Sequence, residues 1–368
     1  MLTAFFVTAV LGRVGIAMTP LALLWLVHER TGSFATAGLA TAGLAVAEGV
    51  AGPQTARLAD RFGQPRVLQF LAAAQALALW ALVAGTSPAS APAGVFALGA
   101  GVGASLPQLG AFTAARWSHR LTPATGLSRA FGLEAVANST AFLLGPVLVA
   151  TLATHGRTCT AVVAAGVLVV GGTSGLALLR ASAPPPAAGD RGVLGLPRAV
   201  GLPLAVNVCV GMHFGALPLA VTASVVATGD PQVATALFAA SSAGGLLAGL
   251  VLTHRRRPVA LRPASRALAV AGLALLLPWP TAALAVVLFA VGAAVPPVVV
   301  AASVRARRDC PPRLLTSTFA WLASVSAAGS AASSAVAGAG VEAAGPVSAF
   351  VLAGLAATGA AVCEKITR

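Results

Sequence analysis

Long apolar runs separated by short clusters of Gly, Pro and charge set the pattern of this chain. The stretches Val67–Ala115, Thr158–Leu179, Ala199–Gly229, Ala267–Val304 and Leu314–Val341 contain no charged residue at all, and a bilayer crossing needs only about 20 apolar residues. Marking spans by apolar length and by Gly, Pro or charged interruptions predicts about twelve helices, near 3–27, 34–56, 67–86, 93–115, 127–153, 158–179, 200–227, 232–253, 265–280, 282–304, 314–338 and 345–363. The ninth and tenth are separated only by Pro278-Trp279-Pro280. The chain is therefore expected to be an all-α membrane protein with twelve transmembrane helices.

Charge orients these spans. Only 9% of the 368 residues are charged and the mean hydropathy is +0.90, too apolar for an ordinary soluble enzyme. The loops at 57–66, 116–126, 180–198, 254–266 and 305–313 and the tail carry nineteen basic residues, against Arg30 and Arg157 in the alternate loops. By the positive-inside rule this asymmetry places both termini in the cytoplasm, and it accounts for the net charge of +14 as topology, with no nucleic-acid partner. The longest polar connection, 181–198, contains Ala-Pro-Pro-Pro-Ala-Ala-Gly and reads as a semi-rigid linker between a six-helix half at 1–180 and another at 199–368. Starts near 3 and 200, and basic loops beginning at Arg57 and Arg255, suggest a topological repeat of the two halves.

Scarce residues narrow the chemistry. Lys365 is the only lysine, so no P-loop exists, and the five histidines and four cysteines show no metal-ligand spacing and no CxxC pair. No cofactor, metal site, disulfide or enzymatic nucleophile is expected. The apolar first 27 residues lack a basic leader and carry Arg13, and they read as a membrane helix that is not a cleaved signal.

After the second span stands Arg57-Leu58-Ala59-Asp60-Arg61-Phe62-Gly63-Gln64-Pro65-Arg66, which resembles the loop motif between helices 2 and 3 of the major facilitator superfamily. The centre matches, while Ala56 stands where the family has Gly and Gln64-Pro65-Arg66 where it ends in a basic pair. The resemblance implies the major facilitator fold and a conformational latch formed by Asp60, Arg61, Gly63 and Arg66. In the family the aspartate sits by a helix N-terminus of the other half in the outward-open state, a favourable place for a carboxylate. Gly145-Pro146 in the fifth span partly resembles the kink associated with antiporters of this superfamily, and equally suits a packing kink. Ala97 stands where many drug/proton antiporters carry arginine ahead of Gly101-Val102-Gly103.

Arg13, Glu48 and Glu134 lie inside spans, where an unpaired charge is costly enough to mark a functional or structural site. With Gln108 and Asn138 at comparable depth they suggest a polar cluster, serving either to bind substrate and proton or to lock helices by ion pairing. His213 and Trp321 are the corresponding candidates in the second half, with core packing as the plainer reading of each. The expected function is secondary active transport by alternating access: proton-coupled export of a small amphiphilic or hydrophobic compound by a monomer in the cytoplasmic membrane of a bacterium. Uptake of a small polar solute, or a non-transporting membrane sensor, are the alternatives.

Overall fold

The structure, a computed structural model, describes residues 2–121, 124–153, 158–186, 200–226, 231–255, 259–311 and 314–366. Among these residues the chain forms thirteen α-helices and no strand. They are α1 (Leu2–Thr31), α2 (Phe34–Phe62), α3 (Gln64–Gly85), α4 (Pro92–Ser105), α5 (Leu109–Arg120), α6 (Ala124–Ala153), α7 (Thr158–Leu178), α8 (Gly201–Val226), α9 (Pro231–His254), α10 (Leu261–Ala274), α11 (Thr281–Asp309), α12 (Leu315–Ala344) and α13 (Pro346–Ile366). With α4 and α5 forming one interrupted span, these are the twelve expected membrane helices. Ten of the spans are long and apolar enough to cross a membrane by themselves; α2, which carries Glu48, Arg57, Asp60 and Arg61, and the fourteen-residue α10 are the other two. Residues 187–198 of the expected linker lie outside the described residues.

Local chemistry explains the boundaries. Ser33 caps α2 by accepting a hydrogen bond from the Thr36 N–H at 3.2 Å. Pro65 and Pro92 sit in the first turns of α3 and α4, where no intrahelical N–H bond is lost. The span expected to run unbroken over 93–115 is interrupted at 106–108, because Pro107 cannot donate to the ladder and disfavours helical geometry at Leu106. The ninth helix starts and ends earlier than the apolar pattern suggested. Pro278 and Pro280 exclude its last turn, and the Trp279 indole N–H instead donates to the Ala274 carbonyl at 2.6 Å, covering the helix end.

The chain divides into two compact units. The amino-terminal unit comprises Met1–Arg120, Thr140–Val193 and Pro312–Ala320; the carboxy-terminal unit comprises Leu121–Ser139, Leu194–Pro311 and Trp321–Arg368. Relative to a single cut at the linker, the first part of α6 and the first turn of α12 have changed places. Within the amino-terminal unit α1 packs along α7, α2 along α4, and α3 on α7 and α4. Within the carboxy-terminal unit α8 packs along α13, α9 along α11, and α10 on α13 and α11. One pairing scheme is used twice, so the repeat hinted at by loop spacing reappears as a repeat of helix neighbours.

Small residues make these seams possible. A Cβ on Gly99 or Gly103 of α4 would lie 2.0 Å from the carbonyl oxygens of Ala40 and Leu44 in α2, and one on Gly292 of α11 would lie 2.0 Å from the Ser241 oxygen in α9. Backbones this close gain dispersion contact, the main attraction available between apolar helices in lipid. Gly103→Ala must push α2 and α4 apart and should destabilise the protein by roughly 1–3 kcal/mol. Gly94→Ala, whose new methyl meets nothing within 4 Å, should leave stability unchanged or slightly raised. Thermal unfolding of the detergent-purified variants checks both, and equal melting temperatures would contradict the packing argument.

Candidate functional site

The turn that follows α2 is built around one glycine. Gly63 has φ +90°, a conformation that costs an L side chain dearly, and its N–H closes α2 by donating to the Ala59 carbonyl at 2.9 Å. This turn aims Asp60, in the last turn of α2, at the start of α12. The Asp60 carboxylate accepts the backbone N–H of Thr316 at 3.2 Å and of Ser317 at 2.8 Å. These N–H groups are among the donors a helix N-terminus leaves unsatisfied, so Asp60 caps α12 from a distant helix. Burial pushes the Asp60 carboxyl above the ordinary aspartate range, and the hydrogen bonds from Thr316 and Ser317 pull it back only in part.

A second layer lies beneath this contact. Gln64, the first residue of α3, is buried; its amide donates to the Thr316 hydroxyl at 3.1 Å and to the Phe112 carbonyl at 3.4 Å, and its carbonyl oxygen accepts from Arg116 Nε at 2.9 Å. Arg116 has 0% exposure. Its guanidinium also donates to the carbonyls of Leu176 at 2.9 Å and Leu179 at 3.0 Å and to the Ser182 hydroxyl. Arg116 thereby satisfies the carboxyl end of α7, where a cation also suits the helix dipole. A continuous polar chain runs from the end of α7 through Arg116, Gln64 and Thr316 to Asp60.

The other residues of the loop motif face elsewhere. Arg61 lies 5.1 Å from the centre of the adjacent Phe62 ring, and Arg66 is exposed. Sequence reasoning treated Arg116 as one more basic loop residue and gave Gln64 no role. The available signal was its position directly after the uncharged run 67–115, with Gln64 standing where the family has a basic residue.

A polar group of a different kind surrounds the break in the fourth span. Arg13 of α1 is 5% exposed and donates from Nη2 to the Thr113 hydroxyl in α5 at 2.7 Å. Gln108, in the break itself, lies against Gly52 of α2, where an added Cβ would fall 2.0 Å from its Nε2. Glu48 sits one turn before Gly52 on that helix. It is half-buried and makes no hydrogen bond or ion pair among the described residues. Arg13, Glu48 and Gln108 all belong to the amino-terminal unit, whereas Glu134 and Asn138 share one face of α6 in the segment that belongs to the carboxy-terminal unit. Glu134 is half-buried and Asn138 exposed.

In the carboxy-terminal unit, His213 is fully buried in the α8–α13 seam with Nδ1 3.0 Å from the Ala353 carbonyl oxygen. That bond fixes the Nδ1–H tautomer and gives the ring a packing role. Trp321 is half-buried near the start of α12. Gly145 in α6 packs on α1, where an added Cβ would lie 2.8 Å from that of Ala17; the side chain of Pro146 lies outside the described residues.

Twelve apolar spans in a doubled pairing scheme, with an acidic side chain after the second span seated on a helix N-terminus, define a multi-pass membrane transport protein. The sequence matches the family model of the Major Facilitator Superfamily over residues 5–334, and the chain belongs to that superfamily. No curated protein matches the sequence. Among solved structures it is similar to the human organic anion transporter MFSD10 (TETRAN), with a TM-score of 0.70, 18% identity and 98% of each chain covered. It is also similar to a bacterial homologue of the iron transporter ferroportin, with a TM-score of 0.71, 15% identity and 100% and 98% of the two chains covered. The transporter FucP in its outward conformation gives a TM-score of 0.67 at 14% identity, with 100% and 97% covered. Family and fold together mark a transporter and not an enzyme.

Two predictions follow from the polar chain. Arg116→Met strands the carbonyls of Leu176 and Leu179 in a buried setting, where each bond to a charged group is worth about 1.5–3 kcal/mol. The variant should melt well below the wild type, and Arg116→Lys, which lacks the planar fork, should recover only part of the loss. A wild-type melting curve for Arg116→Met would show that the network is idle. The second concerns pH: a docked carboxyl that holds its proton more tightly than a free one favours docking at low pH, and that contribution is lost as pH rises through the docked value. The melting temperature of the wild type, measured relative to Asp60→Asn, should therefore rise as pH is lowered from neutrality toward the ordinary aspartate range; a pH-independent difference contradicts this.

Proposed function

We propose that this chain is a proton-coupled secondary transporter that exports a small amphiphilic or hydrophobic compound by alternating access. The observation that carries the reading is Glu48, a carboxyl in the second span with no partner among the described residues, in the same unit as buried Arg13 and one turn before Gly52, against which Gln108 lies at the break of the fourth span. A membrane carboxyl without a fixed partner can take and release a proton as access alternates, whereas a locked ion pair cannot. Arg13, and Glu134 on α6, are the further groups available to a polar or anionic end of the substrate. The apolar composition of the spans suits the remainder.

Other features support the reading. Asp60 and Gly63 act as the latch. The first turn of α12 groups with the amino-terminal unit, and from Trp321 onward α12 belongs to the other unit, so releasing the Asp60 contact frees one end of a shared helix. The partial Gly145-Pro146 feature favours export. The solved structures of similar fold include the organic anion transporter MFSD10, a fucose:proton symporter and a proton:xylose symporter. Uptake of a polar solute is the second reading, and the absence of Tyr with only five Trp in the sequence argues against a sugar site. On this reading the protein works as a monomer in a bacterial cytoplasmic membrane, and the distribution of arginines supports both termini lying inside.

Accumulation of a panel of dyes, antibiotics and sugars in an efflux-deficient bacterial host expressing the chain, with and without a protonophore, tests this directly. Export predicts lowered accumulation of at least one compound, abolished by the protonophore and by Glu48→Gln in protein that inserts normally. Raised accumulation would reverse the direction. Movement of substrate that survives both Glu48→Gln and Glu134→Gln would overturn carboxylate-mediated proton coupling, and no movement of any compound would favour the sensor.

A further inference from the structure

Cys209 on α8 and Cys363 on α13 stood apart in the sequence, one as a small core residue and the other near a helix end. The fold brings them together. Their thiols face one another at interaction range across the α8–α13 seam. A glycine makes room for the pair: a Cβ on Gly359, one turn before Cys363, would lie 3.1 Å from the Cys209 sulfur. Both cysteines are half-buried, and both pack against an apolar cluster that includes Leu202, Val206, Val210, Ala357 and Ala360. Neither is in a disulfide. His213 lies one turn further along α8 with its Nδ1 on the Ala353 carbonyl, and no group of three metal-ligating residues occurs among the described residues.

We propose that Cys209 and Cys363 form a dithiol site that binds one soft, two-coordinate metal cation and so clips α8 to α13. Ligand number and surroundings select the cation. Two sulfurs cannot complete the tetrahedral shell that zinc takes in structural sites, but soft thiolates satisfy d10 ions that accept two donors in a line. At about 2.3 Å per metal–sulfur bond, a linear ion spans a gap that two thiols already in contact reach by side-chain rotation. With a divalent soft ion the bookkeeping also balances: two S–H bonds break, two metal–sulfur bonds form, two protons leave to water, and the complex is neutral. A neutral product suits the apolar cluster, where an uncompensated charge would be costly. Hard, oxygen-seeking cations gain nothing here. The site is independent of the transport reading, since both thiols lie in the carboxy-terminal unit, away from Arg13 and Glu48 in sequence and in unit.

The test uses the full chain in detergent and mercuric ion as the probe. Reduced protein is given a slight excess of mercuric ion, desalted in buffer containing a monothiol such as 2-mercaptoethanol, and assayed for mercury by elemental mass spectrometry. The monothiol strips ions held by a single cysteine but competes poorly with two thiols held at high effective concentration. About one mercury per chain should be retained by the wild type and by the Cys159→Ser/Cys310→Ser double variant, and nearly none by Cys209→Ser or Cys363→Ser. Gel filtration and the melting curve establish that each variant is folded, and Cys209→Ala and Cys363→Ala repeat the measurement should a serine disturb the seam. Failure of the wild type to retain mercury overturns the proposal, as does equal retention when either member of the pair is replaced.

Discussion

Arg116 shows the constraint on which the fold depends: in an apolar bundle every backbone end and every charge must be answered from within. Bilayer and packed helices offer no water to the last carbonyls of α7, and the chain answers them with a guanidinium from α5. A buried cation is costly unless its donors are filled. Here Gln64, Ser182 and two carbonyls take them, and because Gln64 is itself committed to Thr316, the end of α7 is tied through hydrogen bonds to the turn that Asp60 caps. The Gly63 turn, the burial of Gln64 and the position of the α12 N-terminus all follow from keeping that chain of partners intact.

Gln64 in place of a basic residue changes what can be held beside the Asp60 contact. An arginine there would face Arg116 at hydrogen-bonding range and be repelled, whereas an amide offers an oxygen to Arg116 and a nitrogen to Thr316 at once. The family pattern departs at this position, and the departure fits a partner that the family pattern alone does not reveal. Arg66, the basic residue that survives, is exposed.

Much of the fold could be read from the sequence, because apolar length and arginine distribution are direct consequences of the bilayer. The twelve spans and the family came from those signals and from the Asp60 motif. What stayed hidden was set by tertiary contact. Pro107 was visible, but an apolar run on both sides concealed that it splits a span. Arg116 looked like its exposed neighbours Arg120 and Arg61 because sequence distance says nothing about which loop residue turns inward. Cys209 and Cys363 are separated by most of the second half, and only the antiparallel packing of α8 and α13 makes them neighbours. For the candidate membrane site the sequence picked the residues and left their grouping open: Arg13, Glu48 and Gln108 fall in one unit, while Glu134 and Asn138 fall in the other.

That grouping bears on how such a protein can couple a proton to a solute. A carboxyl locked to an arginine on a neighbouring helix of the same unit would be a static brace, unaffected when units move as bodies. Arg13 instead spends a donor on Thr113 at the broken span, and Glu48 on the next helix makes no hydrogen bond or ion pair among the described residues, so these two charges are not spent on one another. On the proposed reading a carboxyl in that position responds to whatever enters beside it, whether a proton or a cationic solute group, and each occupant excludes the other. Competition for one unsatisfied carboxyl is the simplest physical form of coupling, and in this chain the helix that carries it, α2, ends twelve residues later in the Asp60 contact. Glu48 and the Asp60 contact therefore lie on one helix, with Pro53 between them.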